Sequence, residues 1–285
     1  MATKKTSSRS KTKKPLAKTV SSNVVAKSTK NSRYVALNRW NICLAILFAL
    51  QAIVILVFGK SYSLPVVNHY LTPDTLASQA AGHTVLAAAV RHLFDINLRY
   101  LVAAFLLVSA IFHTAIATKE RKRYEAGLQR GVNGLRWLDY GISAGIMLIT
   151  IALLNGVYDV ASLVMIFVLV ALLHLLGYFG EINAVTPRAK RQSFIGLLVA
   201  GGTVWLVIAA YLKAAIIYGT GLAHFVYVID GSIFVITLAL SANTLLVFRA
   251  KGKWENYLYG EQIFMALSFV AKTVLAWLVF AAILK

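Results

Sequence analysis

The chain has 285 residues, of which 59% are apolar and 14% charged, against roughly 45–50% and about 25% in soluble globular domains. With a mean hydropathy of +0.72, a soluble fold of this length has no interior large enough for its apolar side chains, and the bilayer becomes the solvent. The formal charge of +19 lies mostly outside the apolar runs, which argues against a general nucleic-acid binder. The single cysteine, Cys43, excludes an intrachain disulfide and a cysteine-based metal cluster. Its apolar setting predicts a buried packing thiol.

Residues 1–38 read as a basic tail. Eleven Lys and Arg fall within positions 1–39, with no Asp or Glu and many Ser and Thr. This composition predicts disorder and a cytoplasmic segment drawn to anionic headgroups. A secretory signal fits poorly, because no small-residue cleavage site follows the first apolar run. A transit peptide and a nucleic-acid-binding tail stay open as alternatives, although no nucleic-acid partner is expected.

The remainder, residues 39–285, reads as one membrane domain of all-α class, a seven-transmembrane helix bundle. Runs at 39–59, 98–118, 134–155, 159–179, 193–217, 223–248 and 260–284 each have the length to cross a bilayer. If the N-terminus is cytoplasmic, 23 of the 29 Lys and Arg fall on the inner side and four on the outer. That asymmetry predicts an integral protein of the cell membrane, N-terminus cytoplasmic and C-terminus extracellular. Most connections are short and predict antiparallel neighbours. The outer loop 60–97 is the exception. Leu64-Pro65-Val66-Val67 followed by Thr72-Pro73-Asp74 reads as a short strand, a turn and a partner strand, a short β-hairpin.

Lys272 stands near the middle of the last span, about twelve residues from either end, where snorkelling does not rescue it. The plainer reading is an ion-pair strut between helices. The sharper one is covalent attachment, since a buried amine condenses with an aldehyde to a Schiff base. Either needs an anionic partner. Asp139 on the third span is the candidate, with Arg136 and Ser143 on its helix face; a local Asp139–Arg136 pair is the alternative. Asp139 lies about sixteen residues from the outer end of its span and Lys272 about thirteen, a depth difference of about 5 Å at 1.5 Å per residue. A lysine stem spans that gap.

His113, one turn after Ser109, falls in the same half, either as a hydrogen-bonded core residue or as part of a polar site. His174 is a weaker candidate. Asp230 and Glu261 sit near span ends, where solvation is the default expectation. Trp205, Phe234, Tyr227 and Trp277 read as aromatic walls or as plain packing. No metal-ligand spacing, phosphate loop or matched nucleophile and base occurs.

Seven spans with a lysine in the middle of the last resemble the retinal proteins. The inverted orientation and several stretches are similar to one branch, the heliorhodopsins. These stretches are Lys251-Gly252-Lys253-Trp254-Glu255-Asn256-Tyr257-Leu258-Tyr259-Gly260-Glu261 leading into Ser268-Phe269-Val270-Ala271-Lys272, Arg136-Trp137-Leu138-Asp139-Tyr140, Ser109-Ala110-Ile111-Phe112-His113, and Leu64-Pro65 in the long loop. The resemblance covers residues 39–285. It implies that Lys272 holds retinal, all-trans in the dark, with Asp139 as counterion. Ser143 and Ser268 would line the attachment region, and His113 would belong to a proton-exchanging polar cluster. Tyr140, Trp205 and Phe234 complete the expected binding residues. It further implies a photosensor rather than an enzyme, a homodimer through the outer loop, and an unidentified signalling partner on the cytoplasmic side.

The chain departs from that pattern twice. Asp139 replaces the usual Glu, and Phe48 stands where the first helix often has a second histidine of the polar cluster. Outward proton pumps resemble one another in an acid, a threonine one turn on, a donor acid three turns on, and an acid one turn before the lysine. Here those places hold Asp139, Ser143, Thr150 and Ser268, which predicts no strong pumping. A light-gated or proton-coupled channel or transporter using the Lys272–Asp139 pair is the rival reading. A purely structural membrane protein leaves Lys272 unexplained.

Overall fold

The computed structural model of the protein describes residues 16–183 and 186–284, with the backbone alone for 16–31 and 284. Residues 1–15 of the basic tail lie outside the described residues. Among the described residues, seven helices are long and apolar enough to cross a membrane. They are α1 (Leu16–Phe58), α3 (Leu98–Ala117), α5 (Gly134–Leu154), α6 (Val160–Ile182), α7 (Pro187–Tyr218), α8 (His224–Arg249) and α9 (Tyr257–Val279). Between α1 and α3 come β1 (Ser63–Pro73), α2 (Thr75–Ala81) and β2 (Leu86–Asn97), and α4 (Arg121–Gln129) joins α3 to α5.

The first helix begins inside the basic segment that the sequence sets off at residues 1–38. Helix starts at Leu16, and the chain has neither Gly nor Pro from there to Phe58. Extending an existing helix avoids the cost of nucleation, so an apolar span carries helix outward into a polar segment. The membrane-length part is Ser32–Phe58.

Caps set most other helix starts. Asn133, Asp159 and Thr186 accept hydrogen bonds from Arg136, Ser162 and Ala189 N–H at the starts of α5, α6 and α7. The Ser162 N–H, aided by His69, holds the Asp159 carboxyl below its ordinary range.

The outer loop is a larger hairpin than expected. Strands β1 and β2 pair antiparallel from Ser63↔Asn97 to Pro73↔Leu86, with an irregularity at Val66/Val67. Thr72 and Pro73 end β1 where the chain turns, and α2 caps the tip, with Asp74 accepting from Ala77 N–H. Val67 N–H donates to the Tyr158 carbonyl at 2.9 Å, docking the hairpin on the start of α6.

The bundle core runs along α1, α3, α5 and α9, where Phe48, Phe105, Ile151 and Leu275 are fully buried. The outward faces are apolar as well: Ile46, Leu50, Val199 and Leu206 are all exposed. Cys43 joins that outward face and is exposed, not buried as expected. In a membrane an apolar neighbourhood in sequence identifies lipid as readily as core.

Candidate functional site

The site begins where α5 and α9 face each other. Lys272 Nζ donates to Asp139 Oδ2 at 3.1 Å, with both residues almost wholly buried. Ser109 on α3 donates to the other oxygen, Oδ1, at 2.7 Å. Asp139 thus has one carboxylate oxygen for a cation and one for a hydroxyl. Ser143 is buried beside it, but its hydroxyl donates to the Asp139 main-chain carbonyl at 2.7 Å. Ser268 is buried one turn before Lys272 on α9. The rings of Tyr140 and Phe48 lie 5.1 and 5.5 Å from the ammonium, close enough for cation–π attraction.

Phe48 on the first helix packs against the same polar residues. Its ring is fully buried and stacks on His113 with centroids 5.7 Å apart. The polar partner of His113 is instead Asn41, about two turns earlier in α1, with Nδ1 and Oδ1 2.7 Å apart.

Arg136 does not pair with Asp139. Its guanidinium forms buried ion pairs with Glu181 and Glu261, so Glu261 is buried and not solvated as expected. Trp137 Nε1 donates to Glu181 at 2.7 Å, Asn133 Nδ2 to Glu261 at 2.7 Å, and Tyr257 OH to Glu181 at 2.9 Å. The Arg136 guanidinium also lies 4.1 Å from the Phe264 ring centre. A small space lined by Asn41, His113, Asn133, Arg136, Asp139 and Glu261, together with Phe112, Ile116, Tyr140 and Met265, lies between this cluster and Asp139.

Asp230 is likewise buried. Its Oδ1 accepts from Asn155 Nδ2 at 3.0 Å, and desolvation makes that contact necessary.

On the other side of Tyr140 an apolar cavity of about 100 Å³ extends between α5, α6, α7 and α8, lined by Trp137, Tyr140, His174, Trp205 and Phe264 among others. Trp205 is part of that lining, and Phe234 meets it edge-on at 5.1 Å; Phe234 is 41% exposed, on the side of α8 that also turns Val235 and Leu238 outward. Tyr227 OH accepts from Leu222 N–H, and Trp277 Nε1 donates to Gln51. Neither lines the cavity.

Asn41, Glu181 and Tyr257 escape sequence reasoning. The available signal is charge balance: Arg136, Glu181 and Glu261 are three charges within apolar runs near one end of the bundle, and burial demands that they meet.

No curated protein matches the chain. Among solved structures, it is similar to the light-driven proton pump LR (Mac) from Leptosphaeria maculans, at 14% identity and a TM-score of 0.58 over 86% of this chain and 94% of that one. It is also similar to the transmembrane domain of Salpingoeca rosetta rhodopsin phosphodiesterase (14%, 0.58, covering 89% and 86%) and to thermophilic rhodopsin (14%, 0.59, covering 88% and 93%). At that identity these likenesses establish the rhodopsin fold alone. Residues 37–284 match the Heliorhodopsin family model. The chain belongs to the heliorhodopsin family.

Proposed function

We propose that this chain is a retinal-based light sensor in which Lys272 holds the chromophore as a protonated Schiff base and Asp139 is its counterion. The observation that carries the reading is the buried 3.1 Å contact between Lys272 Nζ and Asp139 Oδ2. A cation with 2% of its residue surface exposed needs a carboxylate at that range to hold its charge. Retinal, all-trans in the dark, would supply light absorption and a change of shape. The chain's own residues do the rest. Asp139 offsets the charge, Ser109 orients the carboxylate, and Tyr140 separates the amine from the aromatic cavity.

At about 100 Å³ that cavity is smaller than a ligand site of roughly 300–1,000 Å³. A long polyene is therefore accommodated by aromatic side chains such as Trp205 turning aside. The direction is consistent, since the cavity leads away from Lys272 past Tyr140.

Thr150 and Ser268 at the positions of a donor acid and a second counterion support a sensor over a pump, with a slow conformational change as its output. The basic residues support an N-terminus inside the cell and a C-terminus outside. Tyr70, Leu71, Val90 and Phe94 expose apolar surface on the hairpin, which supports homodimerisation there. A signalling partner would meet the cytoplasmic end.

The test is one absorption spectrum. Membranes holding the protein should acquire a visible band on addition of all-trans retinal, and Lys272→Ala membranes should not. A visible band retained by a folded Lys272→Ala variant overturns the attachment.

A further inference from the structure

A second, larger hollow lies outside the site above, between α4, α5 and α6, with a volume of about 580 Å³. Leu135, Leu138, Ile142, Phe167 and Leu175 make its walls apolar. Leu138 and Leu175 are 53% and 43% exposed, so the hollow opens sideways through a lipid-facing surface. From Gly134 to Ile142 it follows α5 for about 12 Å at 1.5 Å per residue. Gly141 also lines it, and a Cβ there would make only ordinary contact, at 3.8 Å, with Ala171 and His174.

One end of this groove is basic. Arg123 and Arg130 line it from α4 and the turn that follows, and both are exposed. Among the described residues Arg123 has a single surface ion pair, with Glu120 at 3.5 Å. Arg130 has no ion pair among the described residues. Their charge is available, whereas that of Arg136 nearby is consumed by two glutamates.

We propose that this groove binds an anionic phospholipid, its phosphate on Arg123 and Arg130 and one acyl chain along α5 and α6. An apolar channel open to lipid and ending in two exposed guanidinium groups matches that amphiphile in both charge and shape. The chain's own first fifteen residues are a poor occupant, being basic and free of acid. A soluble phosphate would leave the apolar walls without a partner. A zwitterionic lipid offers the same phosphate, but its ammonium group is repelled by the two arginines and takes back part of that gain.

The experiment is native mass spectrometry of the full chain in mild detergent, titrated with dioleoyl phosphatidylglycerol, dioleoyl phosphatidylcholine or sn-glycerol 3-phosphate. The expected result is phosphatidylglycerol retained at one site per protomer with about a tenfold preference over phosphatidylcholine, undisturbed by equal glycerol phosphate. Arg123→Gln with Arg130→Gln, both at exposed positions, should bring the two lipids to parity. Leu138→Trp, which fills the groove from an exposed position, should weaken phosphatidylglycerol binding with both arginines intact. Equal binding of the two lipids by the parent protein overturns the proposal, as does a preference that survives loss of both arginines. Displacement by glycerol phosphate would make this a soluble-phosphate site. Undiminished binding in Leu138→Trp would reduce it to headgroup adsorption.

Discussion

Lys272 Nζ and Asp139 Oδ2 meet at 3.1 Å across 133 positions of chain, with Ser109 from a third helix closing on the same carboxylate. Three helices are tied at one buried point. The charge of either residue is tolerable there only because of the other.

Asp139→Asn removes the offsetting charge while keeping size and shape. After addition of retinal, this variant should lack the parent's visible band at neutral pH and absorb in the near ultraviolet, or absorb to the red where the proton is kept. Asp139→Glu should remain visibly coloured. Absorption spectra across pH check both. An unchanged spectrum and titration in Asp139→Asn would exclude it as counterion.

Arg136 serves two buried glutamates. Arg136→Met should lower stability by about 3–5 kcal/mol, because it leaves buried carboxylates without a cation. Adding Glu181→Gln and Glu261→Gln to that variant should recover much of the loss. Thermal unfolding in detergent, followed by circular dichroism, measures each step.

Asp230 and Asn155 form an incomplete pair. Asp230 Oδ2 and Asn155 Oδ1 are both buried acceptors with no donor among the described residues. Asp230→Asn introduces an N–H that can serve the orphaned Asn155 oxygen, and should leave the melting temperature equal or higher. Asp230→Leu removes the acceptor for Asn155 Nδ2 and should cost about 1–3 kcal/mol.

The hairpin carries the proposed dimer contact. Leu71→Lys with Val90→Lys should convert a dimer to a monomer without changing the helical signal, as read by light scattering of the detergent-solubilised protein. A parent protein that is already monomeric, and gives no crosslinked pair in native membranes, would refute the contact.

Much of this architecture is legible from the sequence because lipid imposes a coarse rule: spans must be long, apolar and helical. Lys272 and Asp139 stand out against that background, and counting 1.5 Å per residue puts them at similar depth. Glu181 and Glu261 are less legible, since a carboxylate near a span end is equally consistent with solvent. Only the path of Arg136 between α6 and α9 separates the two cases. Cys43 fails for a related reason: hydropathy does not distinguish a side chain facing lipid from one facing core. The hairpin is visible in Leu64-Pro65, but β2 is not. Its partner register depends on α2 turning the chain at Asp74 and Gly82, where a positive φ of 71° suits glycine.

Trp137 belongs to three environments at once. Its ring lines the inner cavity and the lipid-side groove, and its N–H is committed to Glu181. Gly177 on α6 lies so close that a Cβ there would overlap the indole, so the ring has no free path toward that helix. A shape change in the cavity that displaces this indole must therefore strain its bond to Glu181, and with it the clasp on Arg136, or push into the groove. The same contact packs α5 against α6 beside both hollows.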